Sequence, residues 1–388
     1  MIEITQEKVM QNWNGEIPLV SISCITYNHE PYIMQTLDGF LMQKTRFPFE
    51  VLIHDDASTD RTADIIREYE KKFPKIIKPI YQKENQYSKG NRAILASFVY
   101  PRAKGKYIAL CEGDDYWIDE NKLQKQVDFM EQNPDVGLTY SKVKMLNNKQ
   151  NEFFSVWGKE KNCFAELIQE NQIPTLSVCM RKDILLQYIK DVAPGTKNWL
   201  MGDYPMWLYF IHVSKVKFFD EITGVYRALE NSASHSTNVL KQINFLKSTY
   251  DIKEFFVFFF NETNVDYPKY HDAICHLFIE NVDNYLKSSY NSSKYEPVNY
   301  ITFNNLILDF VNACQENIMT DSYVRDAFSQ RFLWLFNSLV NCYNEDLAKI
   351  SRLIFRYVAK KTKKQFVLYC LTRSKIILLF IKKRRAFK

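Results

Sequence analysis

Glycine is scarce in this chain, 10 residues in 388, which excludes a collagen-like or glycine-linker protein. No G-x-G-x-x-G and no G-x-x-x-x-G-K-[ST] element occurs, so dinucleotide-fingerprint and P-loop readings fall away. Eight cysteines are present, and none forms a C-x-x-C pair. Cys24 and Cys111 lie inside apolar runs and read as small buried residues. His271 and His276 lie beside Cys275, but no second Cys or His cluster completes a zinc site. Long apolar runs are missing from the tail as well. Its longest, Ile376 to Ile381, is far short of the ~20 residues that span a bilayer. The polar, mixed opening from Met1 to Asn14 is no secretory signal, so a reducing cytosolic setting is expected. Acidic residues stop at Asp346, and the 14 Lys and Arg that follow hide a mildly acidic body. Removing those 14 from the net +6 leaves −8 for residues 1–346, so overall basicity is no sign of nucleic-acid binding.

What is present is a large apolar fraction, 46%, with 28 Phe and 24 Tyr. Such a chain can bury a core, and its length suits two domains or one domain with a large appendage. Leu19 to Thr26, Phe49 to His54, Ile76 to Tyr81 and Tyr107 to Cys111 are short, β-rich apolar runs of the kind buried on both faces of a parallel sheet. Helical spacing separates them: Pro31 to Gln43, then Ile65, Ile66, Tyr69 and Phe73 ahead of Pro74, then Asn91 to Tyr100. The alternation predicts an α/β fold with an open sheet, whose ligands bind beyond the carboxyl ends of the strands. Val136 to Leu146, Phe153 to Trp157, Thr175 to Met180 and Lys215 to Arg227 read as further strands. From about Asn238 the pattern turns to long aromatic-rich helices.

The informative polar residues fall at the strand ends. Tyr27 and Asn28 follow the first strand, Asp55 and Asp56 the second, and Glu112, Asp114 and Asp115 the fourth. Three carboxylates within four positions repel one another unless a cation sits among them. Mg2+ and Mn2+ prefer such oxygen ligands, and Mg2+ is usually shared with substrate phosphates. The turn Glu112–Asp115 therefore reads as a metal–diphosphate site. Bland roles compete at each position. D-x-S-T-D sequences make good turns and helix starts, and Asp203 before Pro205 suits a helix cap. Trp199, Tyr204 and Trp207 suit either sugar stacking or the core.

Ser21 to Asn28, His54 to Thr62 (HDDASTDRT), Lys104 to Trp117 (KGKYIALCEGDDYW) and Gly202 to Trp207 occur in a telling order. Over about residues 17–230 they resemble the family 2 glycosyltransferases of bacterial envelope polysaccharide synthesis. The resemblance implies a GT-A (Rossmann-like) open mixed sheet with flanking helices over residues 1–235. A mainly α-helical C-terminal region of unknown role (236–346) and a basic amphipathic tail (347–388) would follow. It implies that Asp56, beside Asp55, accepts the uracil N3–H while Tyr27 packs on the base. Asp114 and Asp115 would hold Mn2+ or Mg2+, with Asp115 the direct ligand. Glu112 departs from the commoner Asp and would reach the ribose, or the metal through water. Asp203 would deprotonate the acceptor hydroxyl. Arg227 would meet the diphosphate, Arg181 would line the acceptor side, and His235 would close over the diphosphate from a loop.

The implied activity is inverting transfer from a nucleotide-sugar donor, a UDP-sugar, to a glycan or lipid-linked glycan acceptor. The tail, with blocks such as Ile376–Ile381 set between cations, fits a helix lying on an anionic membrane surface. That predicts a peripheral protein on the inner face of a bacterial cytoplasmic membrane. Two rivals stay open: a nucleotidyltransferase, and a non-catalytic nucleotide- or glycan-binding module. The first would want a Gly- and Lys-rich loop where Tyr27-Asn28-His29-Glu30 stands.

Overall fold

A computed structural model describes residues 4–229 and 239–260. His235, His271, Cys275, His276 and the basic segment 347–388 lie outside the described residues, as does most of 236–346. The first compact unit ends at Leu229.

Four parallel strands form one half of the sheet. They are β1 (Val20–Thr26), β2 (Phe49–Asp55), β3 (Ile77–Tyr81) and β4 (Tyr107–Leu110), arranged β3-β2-β1-β4. Every residue of β2 and β4 is buried, as is all of β1 except Ile25. Runs such as Val-Leu-Ile therefore replace the alternation that a one-sided strand would show. Pro79 sits in β3, where an edge strand tolerates the missing N–H. A short α1 (Gln6–Met10) precedes the sheet, and α2 (Ile33–Leu41) and α3 (Thr62–Lys72) connect its first three strands. Val20, Ile22, Leu37, Phe40, Val51, Ile53 and Ile66 share one core with Trp117, Leu123 and Val127.

The other half makes the sheet mixed. It contains β5 (Tyr116–Trp117), β6 (Val136–Asn147), β7 (Glu152–Trp157), β8 (Cys179–Arg181) and β9 (Lys215–Ala228). The order continues from β4 as β8-β6-β9-β5, and β7 pairs with β6 alone. The helices α4 (Lys122–Gln132), α5 (Phe164–Gln169), α6 (Lys182–Val192) and α7 (Tyr204–Val213) complete this unit. In the second unit, α8 (Val239–Phe259) stacks Phe255 on Phe259. Among the described residues, no helix is long and apolar enough to cross a membrane.

Three local expectations need correction. Asn91 to Tyr100 holds only a π-helical turn, Leu95–Val99, followed by a 3-10 turn, Tyr100–Arg102. The Asn91 side chain takes the N–H of Ala93 and Pro101 has none to give, so too few residues remain for an α-helix. Thr175 to Met180 is not one strand. Ser177 donates both its N–H and its hydroxyl to the carbonyl of Pro174, and the chain turns before β8 begins. Arg181 lies at the wrong end of the sheet for the acceptor. Because β8 runs antiparallel to β4, Arg181 pairs with Tyr107, the first residue of β4. Its guanidinium donates to the carbonyls of Val136 and Met130.

The amino end of the sheet is closed by a buried polar knot. Ser21 donates to Glu50, which also accepts from the N–H of Lys104, and Gly105 donates to Ser21. A Cβ on Gly105 would stand 2.5 Å from the Ser21 nitrogen and 2.7 Å from the Val20 carbonyl carbon. Both are strand backbone and cannot yield. Gly105→Ala should cost about 2–3 kcal/mol, the upper range for overpacking. A denaturant midpoint within error of wild type would contradict this packing.

Candidate functional site

The carboxyl end of β1 is the axis of the site. Thr26 pairs with Asp55, so β1 and β2 finish level, whereas β4 stops at the register of Ser23. The chain after β4 must therefore cross the end of β1. It does so with Cys111 N–H on the Ser23 carbonyl (3.2 Å) and Gly113 N–H on that of Ile25 (2.9 Å). On the other flank, Asp56 N–H bonds the Thr26 carbonyl at 3.0 Å. The aspartate pair and the acidic turn thus stand on either side of one strand end.

Glu112, Asp114 and Asp115 each offer an oxygen, all within 4.8 Å of one another. Only glycine fits between them. A Cβ on Gly113 would come 2.6 Å from Thr26 Oγ1, 2.7 Å from Thr26 Cβ and 3.0 Å from His29 Nδ1. The turn is pinned from beneath by Thr36 of α2, whose hydroxyl lies 2.6 Å from the Asp115 carbonyl oxygen and 3.0 Å from that of Gly113. Asp115 is buried, and its Oδ1 accepts the Arg227 N–H at 2.8 Å. Burial first, then the charges of Asp114 and Glu112, hold its carboxyl well above the usual carboxylate range. Glu112 presents its side chain to solvent yet is crowded by protein, as a residue lining a cleft is. That crowding, then Asp114 and Asp203, push its carboxyl up to about 8. Such a cluster of oxygen donors, within 4.8 Å of one another, fits a hard divalent ion.

Arg227 is 5% exposed and acts as the brace of this turn. Its guanidinium donates to the Asp114 carbonyl and to Gln35 Oε1. It lies between aromatic faces, 4.5 Å from the Tyr116 ring centroid and 5.1 Å from that of Tyr32. His29 stands 4.0 Å from Asp114, and burial lowers its imidazole pKa.

On the aspartate flank, Asp56 accepts from the backbone N–H of Gln86 (2.7 Å) and of Tyr87 (3.0 Å), so it anchors the loop after β3. In that loop Arg92 stacks on the Tyr87 ring at 3.9 Å and Lys89 pairs with Glu84. Asp55 accepts from Ser58 N–H at 3.3 Å through Oδ2, while its buried Oδ1 has no partner. Of the two residues, Asp55 therefore holds the vacant acceptor. Tyr27 beside them is 42% exposed, an aromatic face open to a planar ligand. Asn28 (φ 54°) and Ala57 (φ 61°) both adopt the left-handed conformation, which costs a side-chain-bearing residue energy. They are held there by cross-links: Asn28 N–H to Ser58 Oγ and Thr59 N–H to Asn28 Oδ1.

Asp203 caps α7, accepting the Tyr204 N–H at 2.7 Å, and its other oxygen accepts from Thr175 Oγ1 at 2.7 Å. Its charge contributes to the raised Glu112 carboxyl. Tyr204 and Trp207 are fully buried, which makes them core rather than sugar platforms. Sequence reasoning missed His29, Thr36, Gln35, Tyr32 and Thr175. A lone polar residue on an apolar helix, such as Thr36, carries no motif.

Residues 21–184 match the family model described as glycosyl transferase family 2. An uncharacterised protein of Mycobacterium tuberculosis is 41% identical over 223 residues, covering 56% of this chain and 61% of that protein. This chain thus spans less than two thirds of such a relative. The UDP-Glc:alpha-D-GlcNAc-diphosphoundecaprenol beta-1,3-glucosyltransferase WfgD of Escherichia coli is 27% identical over 245 residues, covering 62% of this chain and 87% of WfgD. The fold resembles the crystal structure of S. aureus TarS 1–349, with a TM-score of 0.55 and 16% identity over 89% of this chain and 93% of that one.

A carboxyl group raised in the fold makes stability pH-dependent. Below its ordinary 4.5, Glu112 is protonated in both states and costs nothing. As pH climbs toward 8 the unfolded chain ionises first, so stability is lost across that window. In chelator, Glu112→Gln should flatten the fall of Tm over this range in a scanning thermal melt. A slope equal to that of wild type would contradict the assigned environment of Glu112.

Proposed function

We propose that this chain, whose residues 21–184 match the glycosyl transferase family 2 model, moves a sugar from a UDP-linked donor to a hydroxyl of a glycan or lipid-linked glycan. The observation that supports the reading is the cluster of Glu112, Asp114 and Asp115, whose oxygens lie within 4.8 Å of one another, with Asp203 near enough for its charge to act on Glu112.

In this reading the uracil packs on Tyr27, and the aspartate pair accepts its N3–H, with the vacant oxygen of Asp55 beside Asp56. Asp114 and Asp115, with Glu112 beside them, hold a divalent cation. Such a cation, Mn2+ or Mg2+, supplies positive charge that neutralises the diphosphate. Arg227 keeps the turn in shape and adds a fixed positive charge behind it. Asp203, fixed by Tyr204 N–H and Thr175, takes the acceptor proton as that oxygen attacks the anomeric carbon. The bond to the diphosphate oxygen breaks on the opposite face, and UDP leaves with the bonding pair. One such in-line displacement inverts the anomeric centre. Alignment and leaving-group stabilisation are the protein's main contributions. The name of WfgD describes a UDP-Glc donor and a diphosphoundecaprenol-linked acceptor, which supports the donor and acceptor classes.

Asp203→Asn should bind UDP as wild type does in calorimetry. Its transfer from UDP-sugars to lipid-linked acceptors should drop by roughly 10²–10⁴-fold, the usual worth of a general base. Turnover retained by Asp203→Asn would remove it from the base role. The absence of UDP binding by the wild-type protein would remove the donor assignment.

A further inference from the structure

Lys122 has no part in the chemistry above, yet it is 1% exposed, and its ammonium donates to Gln126 Oε1 at 2.9 Å rather than to a carboxylate. Burial lowers its pKa to about 8. A methionine of similar length would fill the space without that desolvation cost. What the lysine adds is a link. It lies 4.1 Å from the centroid of the Trp117 ring, whose Nε1 donates to the Leu176 carbonyl at 2.6 Å. Gln126 in turn donates from Nε2 to the Ser177 carbonyl at 2.8 Å. Lys122, Trp117, Leu176, Ser177 and Gln126 thus close a ring of polar contacts, and none of the five is more than 2% exposed. A buried network whose members answer one another holds a single arrangement where an apolar core would tolerate several.

The ring joins two parts of the site. At one end Trp117 follows Asp115 by two positions and is clamped by α2. A Cβ on Gly39 would stand 3.0 Å from both the nitrogen and the oxygen of Trp117, and Phe40 meets the indole edge-on with centroids 4.9 Å apart. The same helix carries Thr36, which bonds the carbonyls of Gly113 and Asp115. Across the sheet Trp117 pairs with Gly224, and the missing side chain makes room for Leu176. A Cβ on Gly224 would come 2.7 Å from Leu176 Cδ1 and 3.5 Å from Trp117 Cδ1. At the other end lies the 3-10 turn Thr175–Ser177. The Ser177 hydroxyl accepts the Ser141 N–H at 3.1 Å and donates to the Pro174 carbonyl at 2.7 Å, so this turn is held by more than the ring. Its first residue, Thr175, carries the hydroxyl that donates to Asp203 Oδ2 at 2.7 Å.

We propose that Trp117 and Lys122 are positioning residues for Asp203, setting through the Thr175–Ser177 turn where the base stands relative to the acidic turn. The path is short. It runs from Asp115 along β5 to Trp117, over one hydrogen bond to Leu176, and back one residue to Thr175. Without it Asp203 still caps α7 through the Tyr204 N–H, so the helix start survives while the second carboxylate oxygen loses its anchor. Alignment is what the path supplies, since a displacement of about 1 Å at a reacting group costs on the order of 10²-fold in rate. The positioning role rests on the proposed function, whereas the ring of contacts does not.

The test uses the full chain with Trp117→Phe, Thr175→Val and the two combined. Turnover is read as UDP released from UDP-glucose with Mn2+ and GlcNAc-diphosphoundecaprenol. Thr175→Val should lower kcat roughly 10–100-fold with the KM for donor unchanged, and Trp117→Phe should lower kcat in the same way. Added to Thr175→Val, Trp117→Phe should lower kcat no further, because it acts through the hydroxyl already lost. Thr175→Ser, which keeps that hydroxyl, should recover most of the rate. Crystal structures give an answer that needs no turnover. In Trp117→Phe the contact between Thr175 Oγ1 and Asp203 Oδ2 should open beyond hydrogen-bonding distance, and Lys122→Met takes its place if Trp117→Phe does not fold. A contact kept at 2.7 Å in the variant would overturn the proposal. So would a fall in Tm with kcat at the wild-type level, or effects of the two substitutions that simply multiply, since both are marks of support for the fold alone. Asp203→Asn separates this inference from the reading beneath it. If Asp203→Asn loses transfer while Trp117→Phe keeps it, only the positioning role fails. If Asp203→Asn turns over as wild type does, the base assignment fails and the positioning role with it.

Discussion

Mutual repulsion of three carboxylates is the constraint on which the rest of the site depends. Glu112, Asp114 and Asp115 offer oxygens within 4.8 Å of one another. Two full charges at that separation oppose each other by on the order of 3 kcal/mol at an effective dielectric constant near 20. Protons or a cation must relieve this, and burial together with that repulsion raises the carboxyls of Glu112 and Asp115. The surroundings answer the same strain. Thr36 and Arg227 bond the turn's carbonyls, the Arg227 N–H takes one oxygen of Asp115, and Gly113 lets the turn press against Thr26. The turn is held in a shape it would not keep alone, which is how a site is prepared for a cation and an anionic ligand.

The sheet explains where this turn sits. β4 ends short of β1, so the chain following it must cross the end of the central strand, and the aspartate pair flanks the same end. In the mixed half, the end of β9 supplies Arg227 and the start of α7 carries Asp203. A parallel half and a mixed half, in which β6 and β9 also run parallel, together carry the residues of the site.

Much of this was legible in the sequence. The four parallel strands announced themselves as apolar runs without alternation, and the carboxylates at their ends followed from the rule that ligands sit there. What could not be read were contacts over long sequence distance. Nothing local marks Thr36 as the support of residues 113–115, or Gln35 as a partner of Arg227 across 192 positions. Arg227 itself was expected to meet the diphosphate, and its burial between Tyr32 and Tyr116 is invisible to a linear pattern. The reading of Arg181 failed because it depended on strand direction, which sequence periodicity does not encode. The two-residue β5 is too short for any period to show.

The measurement that bears most directly on the central constraint is Mn2+ binding followed by electron paramagnetic resonance at pH 7, with proton release recorded alongside. The account predicts that Mn2+ binds with release of protons from the acidic turn, and that UDP tightens its binding. Mn2+ that stays free, or binds without releasing protons and regardless of UDP, would contradict the assignment of Glu112, Asp114 and Asp115 as a cation–diphosphate seat.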